Sequence, residues 1–208
     1  MSYLDAERSL EREIKEMQMS NIPTSQARFS ASGSGYTLLQ KVLHWAIFLL
    51  LAAQYAVGSI MPHIGRNTLN EGWVNWHLSI GAVILFFISV RLATRIAHPV
   101  ALLETGPKWQ RQLASATHMA IYILILVMCV LGWAAASDRG WTVYLFGVIP
   151  LPSLAAKGTP WAHTAGDVHD ILLYVLLVPI ALHIFAALYH QFVLHDRLIG
   201  RMSFADRG

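Results

Sequence analysis

One cysteine is all the thiol chemistry this sequence has. Cys129 stands alone among 208 residues, which excludes an intrachain disulfide and every CxxC zinc or redox motif. Charge is scarce too: Asp, Glu, Lys and Arg make up 13% of the chain, against about 25% in an ordinary soluble domain. No early apolar stretch is present. Residues 1–29 mix Glu, Asp, Arg and Lys, so no cleavable signal peptide is expected and the first apolar span doubles as the insertion signal. The net charge of +3 is small, and the basic residues sit at span ends, which sets topology and offers no nucleic-acid surface. Self-similarity at solenoid periods is also missing.

What the chain does have is apolar residues, 55% of the total, gathered into blocks of twenty or more. Blocks of that length are membrane spans and not a soluble core. Four are expected, over Val42–Met61, Trp76–Ala97, Leu113–Ala136 and Asp167–Leu194. Short connections make an all-α, up-and-down bundle of four transmembrane helices in a lipid bilayer. The longest connection, 137–167, is rich in aromatics, Pro and Gly and is expected at the interface over the bundle mouth. Residues 36–208 form the membrane domain. Residues 1–35 form an N-terminal extension: 2–19 suits a short surface helix, with Leu10, Ile14 and Met17 on one face, and 30–35, SASGSG, is a flexible linker.

Basic residues fix the expected orientation. Segment 1–41, the connection between spans two and three with its adjoining helix end, and the C-terminal tail together hold 12 of the 15 Lys and Arg. The other side holds Arg66, Arg139 and Lys157. Both termini, and with them the 1–35 extension, are therefore expected in the cytoplasm.

Ten histidines are many for such a chain. Span four alone carries His169, His183 and His190. Spacings of 14 and 7 residues put them within about 40° and 20° of each other on a helix, so they form one stripe. His169 and His183 are about 21 Å apart along the axis, near opposite faces of a bilayer. A polar stripe in an apolar helix turns inward, towards partner helices or a cofactor. By depth, His77 on span two is level with His169, and His44 on span one is level with His183 or with His190; spacing alone leaves that choice open. Two imidazoles on facing helices, with no thiolate near, suit axial ligation of a haem iron. Zinc would want four ligands at one level, and no level offers them. Arg91 follows His77 by 14 residues, so it shares that face at the cytoplasmic side, as a snorkelling cation or as a partner for a haem propionate or a quinone carbonyl. Pro179 removes one backbone hydrogen bond four residues before His183 and offers a kink. His63, His98, His163 and His195 fall in connections or the tail and read as surface residues.

LQKVLHWAIFLLLAAQY, NWHLSIGAVILFFISVRLATRIAHP, HMAIYILILVMCVLG, and VHD followed fourteen positions later by LHIFAALYH together resemble the bacterial cytochrome b561 family, over about residues 36–204. The resemblance implies a bacterial inner-membrane protein with two b-type haems, each held by two histidines. It assigns His44 and His183 to the cytoplasmic-side haem and His77 and His169 to the periplasmic-side haem. Two further histidines line a ubiquinone site in the superoxide-oxidising member of the family; the matching positions are His118 and His190. The function this implies is an oxidoreductase that moves electrons across the inner membrane from a periplasmic donor, such as superoxide, to ubiquinone. The outer connections depart from that picture. Arg66, Arg139 and Lys157 are balanced there by Glu71, Asp138 and Asp167, with Asp170 close by, so no funnel for an anion stands out. The alternative function is a haem-carrying anchor and electron-transfer subunit of a larger dehydrogenase or hydrogenase complex. A cofactor-free transporter, with the His stripe relaying protons, is the third reading and predicts a colourless protein.

Overall fold

The computed structural model describes residues 36–65, 67–98, 107–196 and 198–204, together with Glu13. All of these except Glu13 fall in the unit Tyr36–Gly208. The expected helix over 2–19, the linker 30–35, Arg66 and Arg197 lie outside the described residues.

Four long helices form among the described residues: α1 (Leu38–Ile60), α2 (Gly72–Ala97), α3 (Lys108–Asp138) and α4 (Pro160–Phe192). All four are long and apolar enough to cross a membrane. At 23 to 33 residues they run about 35–50 Å, against a hydrocarbon core of about 30 Å. Each begins four to seven residues before the apolar run that announced it. Hydropathy sees only the part that meets lipid, whereas helix starts are set by capping. Thr37 and Gln40 make a reciprocal capping box: Gln40 N–H donates to Thr37 Oγ1 (3.2 Å), and Thr37 N–H to Gln40 Oε1 (3.1 Å). Pro160, which reads in the sequence as part of the connection, is the first residue of α4, where its missing N–H costs nothing. α4 runs unbroken past Pro179.

Neighbours in sequence pack as neighbours in space. α1 lies on α2, α2 on α3, and α3 along α4. α4 packs broadly on α3 alone; towards α1 and α2 it contributes Leu176 to the shared core and His169 and His183 to ring contacts. Midway along the bundle a dry cluster of Ile47, Ile84, Ile88, Ile125 and Leu176 bridges all four helices. Elsewhere the helices show apolar faces outward, among them Tyr174, Val178, Phe185 and Phe192 on α4. Such surface is tolerable only in lipid.

The connection after α3 contains a feature the sequence reading did not foresee. Tyr144–Leu145 (β1) and Ile149–Pro150 (β2) pair antiparallel around Phe146 and Gly147, both at positive φ. Val143, Leu145 and Leu151 cluster with Leu78 and Ala82 of α2, and the Phe146 ring meets Phe86 at 5.7 Å. The connection therefore lies down the flank of α2. It is also tied to the segment between α1 and α2, by Asn70 Nδ2–H to Thr142 O (3.1 Å) and Arg139 Nη1–H to Gly65 O (2.9 Å). At the other end a 3-10 segment, Leu198–Met202, passes from α4 to α1. There Lys41 Nζ donates to Ser203 O (2.8 Å) and Trp45 Nε1 to Met202 O (3.0 Å).

Candidate functional site

Imidazoles from different helices meet inside the bundle at two levels. At the end of the bundle where α1 begins and α4 finishes, the rings of His44 and His183 face each other with centres 6.2 Å apart and planes at 78°. At the far end, His77 and His169 do the same at 6.1 Å and 81°. The apolar cluster around Leu176 separates the levels, because Leu176 stands seven residues from His169 and seven from His183 and shares their face. Helical periodicity thus produces histidine, leucine, histidine along one inward stripe.

At the far level the His169 ring is held by a hydrogen bond and the His77 ring by packing, its Nδ1 being buried without a partner among the described residues. His169 Nδ1–H donates to Met128 O of α3 at 2.8 Å, which fixes the tautomer and leaves the Nε2 lone pair free. Its ring is seated against Gly132, where a Cβ would fall 2.9 Å from Cε1. His77 lies beside Gly58 at an ordinary contact distance, 3.5 Å from where a Cβ would sit. Gln54 Nε2 reaches the His77 carbonyl at 3.1 Å. Neither glycine was singled out from sequence, since a glycine inside an apolar span carries no periodic signal.

His118 joins the level of His44 and His183. Its ring is 5.0 Å from that of His183, and its Nδ1–H donates to Ala114 O at 2.7 Å. The three imidazoles meet without converging on one point as metal ligands. His190 lies about two turns beyond His183 on α4. It hydrogen-bonds through Nδ1 to Asp196, and no ring contact joins it to His118 among the described residues. Arg91 donates through Nε to Tyr122 Oη (3.0 Å) and through Nη1 to Gln40 O. It thereby ties the turn before His44 on α1 to the turn after His118 on α3. His63, His98, His163 and His195 are exposed. Of these, His163 pairs with Asp138 at 3.4 Å.

Four apolar spans carrying paired imidazoles inside a bundle define a membrane cytochrome of the b type. The family model described as prokaryotic cytochrome b561 matches residues 35–205. The chain belongs to the prokaryotic cytochrome b561 family, and with it to the electron-transferring, haem-binding, multi-pass proteins of the bacterial inner membrane. It is similar to cytochrome b561 homolog 2 of Escherichia coli K12, 26% identical over 179 residues, which cover 84% of this chain and 94% of that one. It is similar to the probable superoxide oxidase CybB of Yersinia pestis, 28% identical over 175 residues, covering 83% and 98%. Cytochrome b562 of Cereibacter sphaeroides is 30% identical over 173 residues, covering 81% and 94%. Oxidoreductase activity follows at the level of the family.

Haem b is the cofactor this family implies, and the residues present fit it. A metal held in line between two imidazoles, about 2.0–2.1 Å from each nitrogen, separates the ring centres by about 6.3 Å. His44–His183 and His77–His169 meet that separation. His118–His183, at 5.0 Å, falls more than 1 Å short of it.

Proposed function

We propose that this chain carries electrons across the inner membrane from a donor on the periplasmic side to ubiquinone on the cytoplasmic side, through two haems b. His44 and His183 hold the cytoplasmic-side haem, and His77 and His169 the periplasmic-side one. The observation that carries this reading is the pair of imidazole couples, each at the separation of two axial ligands and placed near opposite ends of the spans. The asymmetry of Lys and Arg supports the orientation, with both termini, and the 1–35 extension, in the cytoplasm. The resemblance to a probable superoxide oxidase supports superoxide as the donor, which makes the chain a superoxide:ubiquinone oxidoreductase. Two superoxide anions then give up one electron each and leave as dioxygen. One ubiquinone takes both electrons and two protons to become ubiquinol.

When bound, haem supplies reversible one-electron chemistry at iron; the chain supplies distance, tautomers and protons. The dry cluster around Leu176 keeps water and protons out of the space between the two levels, so charge crosses there as electrons. Met128 O orients His169. His118, with Nδ1–H committed to Ala114 O, presents Nε2 to the quinone; it takes up a proton at Nε2, becoming imidazolium, passes that proton to the reduced quinone and returns to the neutral ring. His190, paired with Asp196, renews that proton from the cytoplasmic side. His118→Ala is expected to keep both haem spectra and to slow quinone reduction by about 10²-fold or more, as loss of a positioned acid does. Unchanged quinone reduction in that variant removes His118 from the role.

The test of the whole reading uses the purified chain alone, mixed with a superoxide source and ubiquinone. A red protein with two haems per chain and rapid ubiquinol formation is expected. Basic and acidic groups balance in the outer connections, so the rate with superoxide is expected to change little between low and high salt. A colourless protein defeats the reading. A pigmented protein without turnover, recovered with a larger partner, makes it the haem-carrying subunit of a dehydrogenase or hydrogenase complex.

A further inference from the structure

Arg91 and Arg95 stand one turn apart on α2, both half-buried, beside the His44–His183 level. Like charges at that spacing repel, and cations this close to hydrocarbon call for a counter-charge. Among the described residues none pairs with them: the ion pairs there are His163–Asp138 and His190–Asp196. The two guanidinium groups are not equivalent. Arg91 spends Nε on Tyr122 Oη and Nη1 on Gln40 O, which makes it a clamp between α1, α2 and α3. Arg95 lies over the Tyr36 ring, 5.6 Å from its centre, and its Nη1 is buried without any acceptor. A topology-setting arginine would snorkel its guanidinium into headgroup water. A cation in the last turn of α2 also suits the helix dipole. Neither accounts for a buried N–H left unsatisfied, which costs about 1–3 kcal/mol and more when charged.

We propose that Arg95 is the anchor of an oxyanion bound at the His44–His183 level, a carboxylate or phosphate that its planar fork grips and that none of the described residues supplies. Two sources share that chemistry: a propionate of the haem held by His44 and His183, which rests on the proposed function, and the phosphate of a lipid headgroup, which does not. Gln40 closes the site from behind. It is 2% exposed, and its side-chain amide caps the end of α2 through Thr94 O (3.3 Å) and His98 O (3.2 Å). The last turn of α2, with Arg95 on it, is therefore held rigidly against α1.

The experiment compares the haem-loaded wild type with Arg95→Gln and Arg95→Lys, in phosphate-free dodecyl maltoside and in phosphatidylglycerol nanodiscs. Each haem is followed by potentiometric titration, and bound phospholipid by phosphorus assay. If the oxyanion is a propionate, Arg95→Gln makes reduction of one haem about tenfold less favourable, about 59 mV for one electron, in both media. The other haem stays unmoved and Arg95→Lys restores part of the shift. If it is a lipid phosphate, the potentials stay put in detergent and Arg95→Gln loses bound phosphatidylglycerol in nanodiscs. Equal potentials and equal bound lipid in both media overturn the assignment. Should Arg95→Gln fail to fold, Arg95→Lys carries the test, because it keeps the charge and loses the fork. A wild type without two haem waves defeats the haem reading alone, and the phosphate arm is then decided by bound lipid.

Discussion

His183→Ala is expected to lose one of the two haems proposed for this chain and to keep the other. His183 is the centre of its level, 6.2 Å from His44 and 5.0 Å from His118, so its loss strips both neighbours at once. His118 cannot take over as the opposing ligand of His44. It hangs on α3 with its Nδ1–H tied to Ala114 O, and no contact joins its ring to that of His44 among the described residues. Quinone reduction should disappear with the haem, while the His77–His169 spectrum persists, because the cluster around Leu176 holds the two levels apart without help from His183. Haem stoichiometry and a reduced-minus-oxidised spectrum read the result. Two haems retained in His183→Ala would end the account of this level.

Gly132→Ala should be nearly as damaging at the other level, through a single methyl group. Its Cβ would sit 2.9 Å from His169 Cε1 and 3.0 Å from Nδ1, closer than carbon and nitrogen tolerate. The ring is wedged between that methyl and the Met128 carbonyl, 2.8 Å away, so it must either give up the hydrogen bond or swing out of line with His77. Overpacking of this kind costs about 1–3 kcal/mol in stability, and an axial ligand out of line costs the haem as well. The expected result is a protein depleted in the His77–His169 haem and normal in the other. Gly58→Ala is the internal comparison. Its Cβ would stand 3.5 and 3.6 Å from the His77 ring, an ordinary contact, so haem content should be unchanged. Equal haem content in Gly132→Ala and Gly58→Ala would show that the close approach at Gly132 does not govern the site.

Much of the architecture is legible in composition and spacing. Lipid leaves a span few options, so four apolar blocks become four helices, and histidines 14 residues apart on one of them must stack on one face. Helix starts are less legible, because Thr37 and Pro160 act through local capping and not through hydropathy. The hairpin Tyr144–Pro150 is too short for any periodicity to register. Spacing could not choose between His183 and His190 as the neighbour of His44. In the fold His183 faces His44, while Asp196, six residues on from His190, turns back to meet it.

By itself the sequence determined a four-span membrane protein with an inward stripe of imidazoles and the family it belongs to, because these follow from one-dimensional periodicity and from motif order. Tertiary structure alone decided which imidazoles stand about 6 Å apart, that Gly132 is the seat of His169, and that Arg91 bonds to Tyr122 and Gln40 while Nη1 of Arg95 meets no acceptor among the described residues. Those are distances between residues far apart in the chain. They depend on how α4 leans on α3 and faces α1 and α2, and no local pattern encodes that tilt.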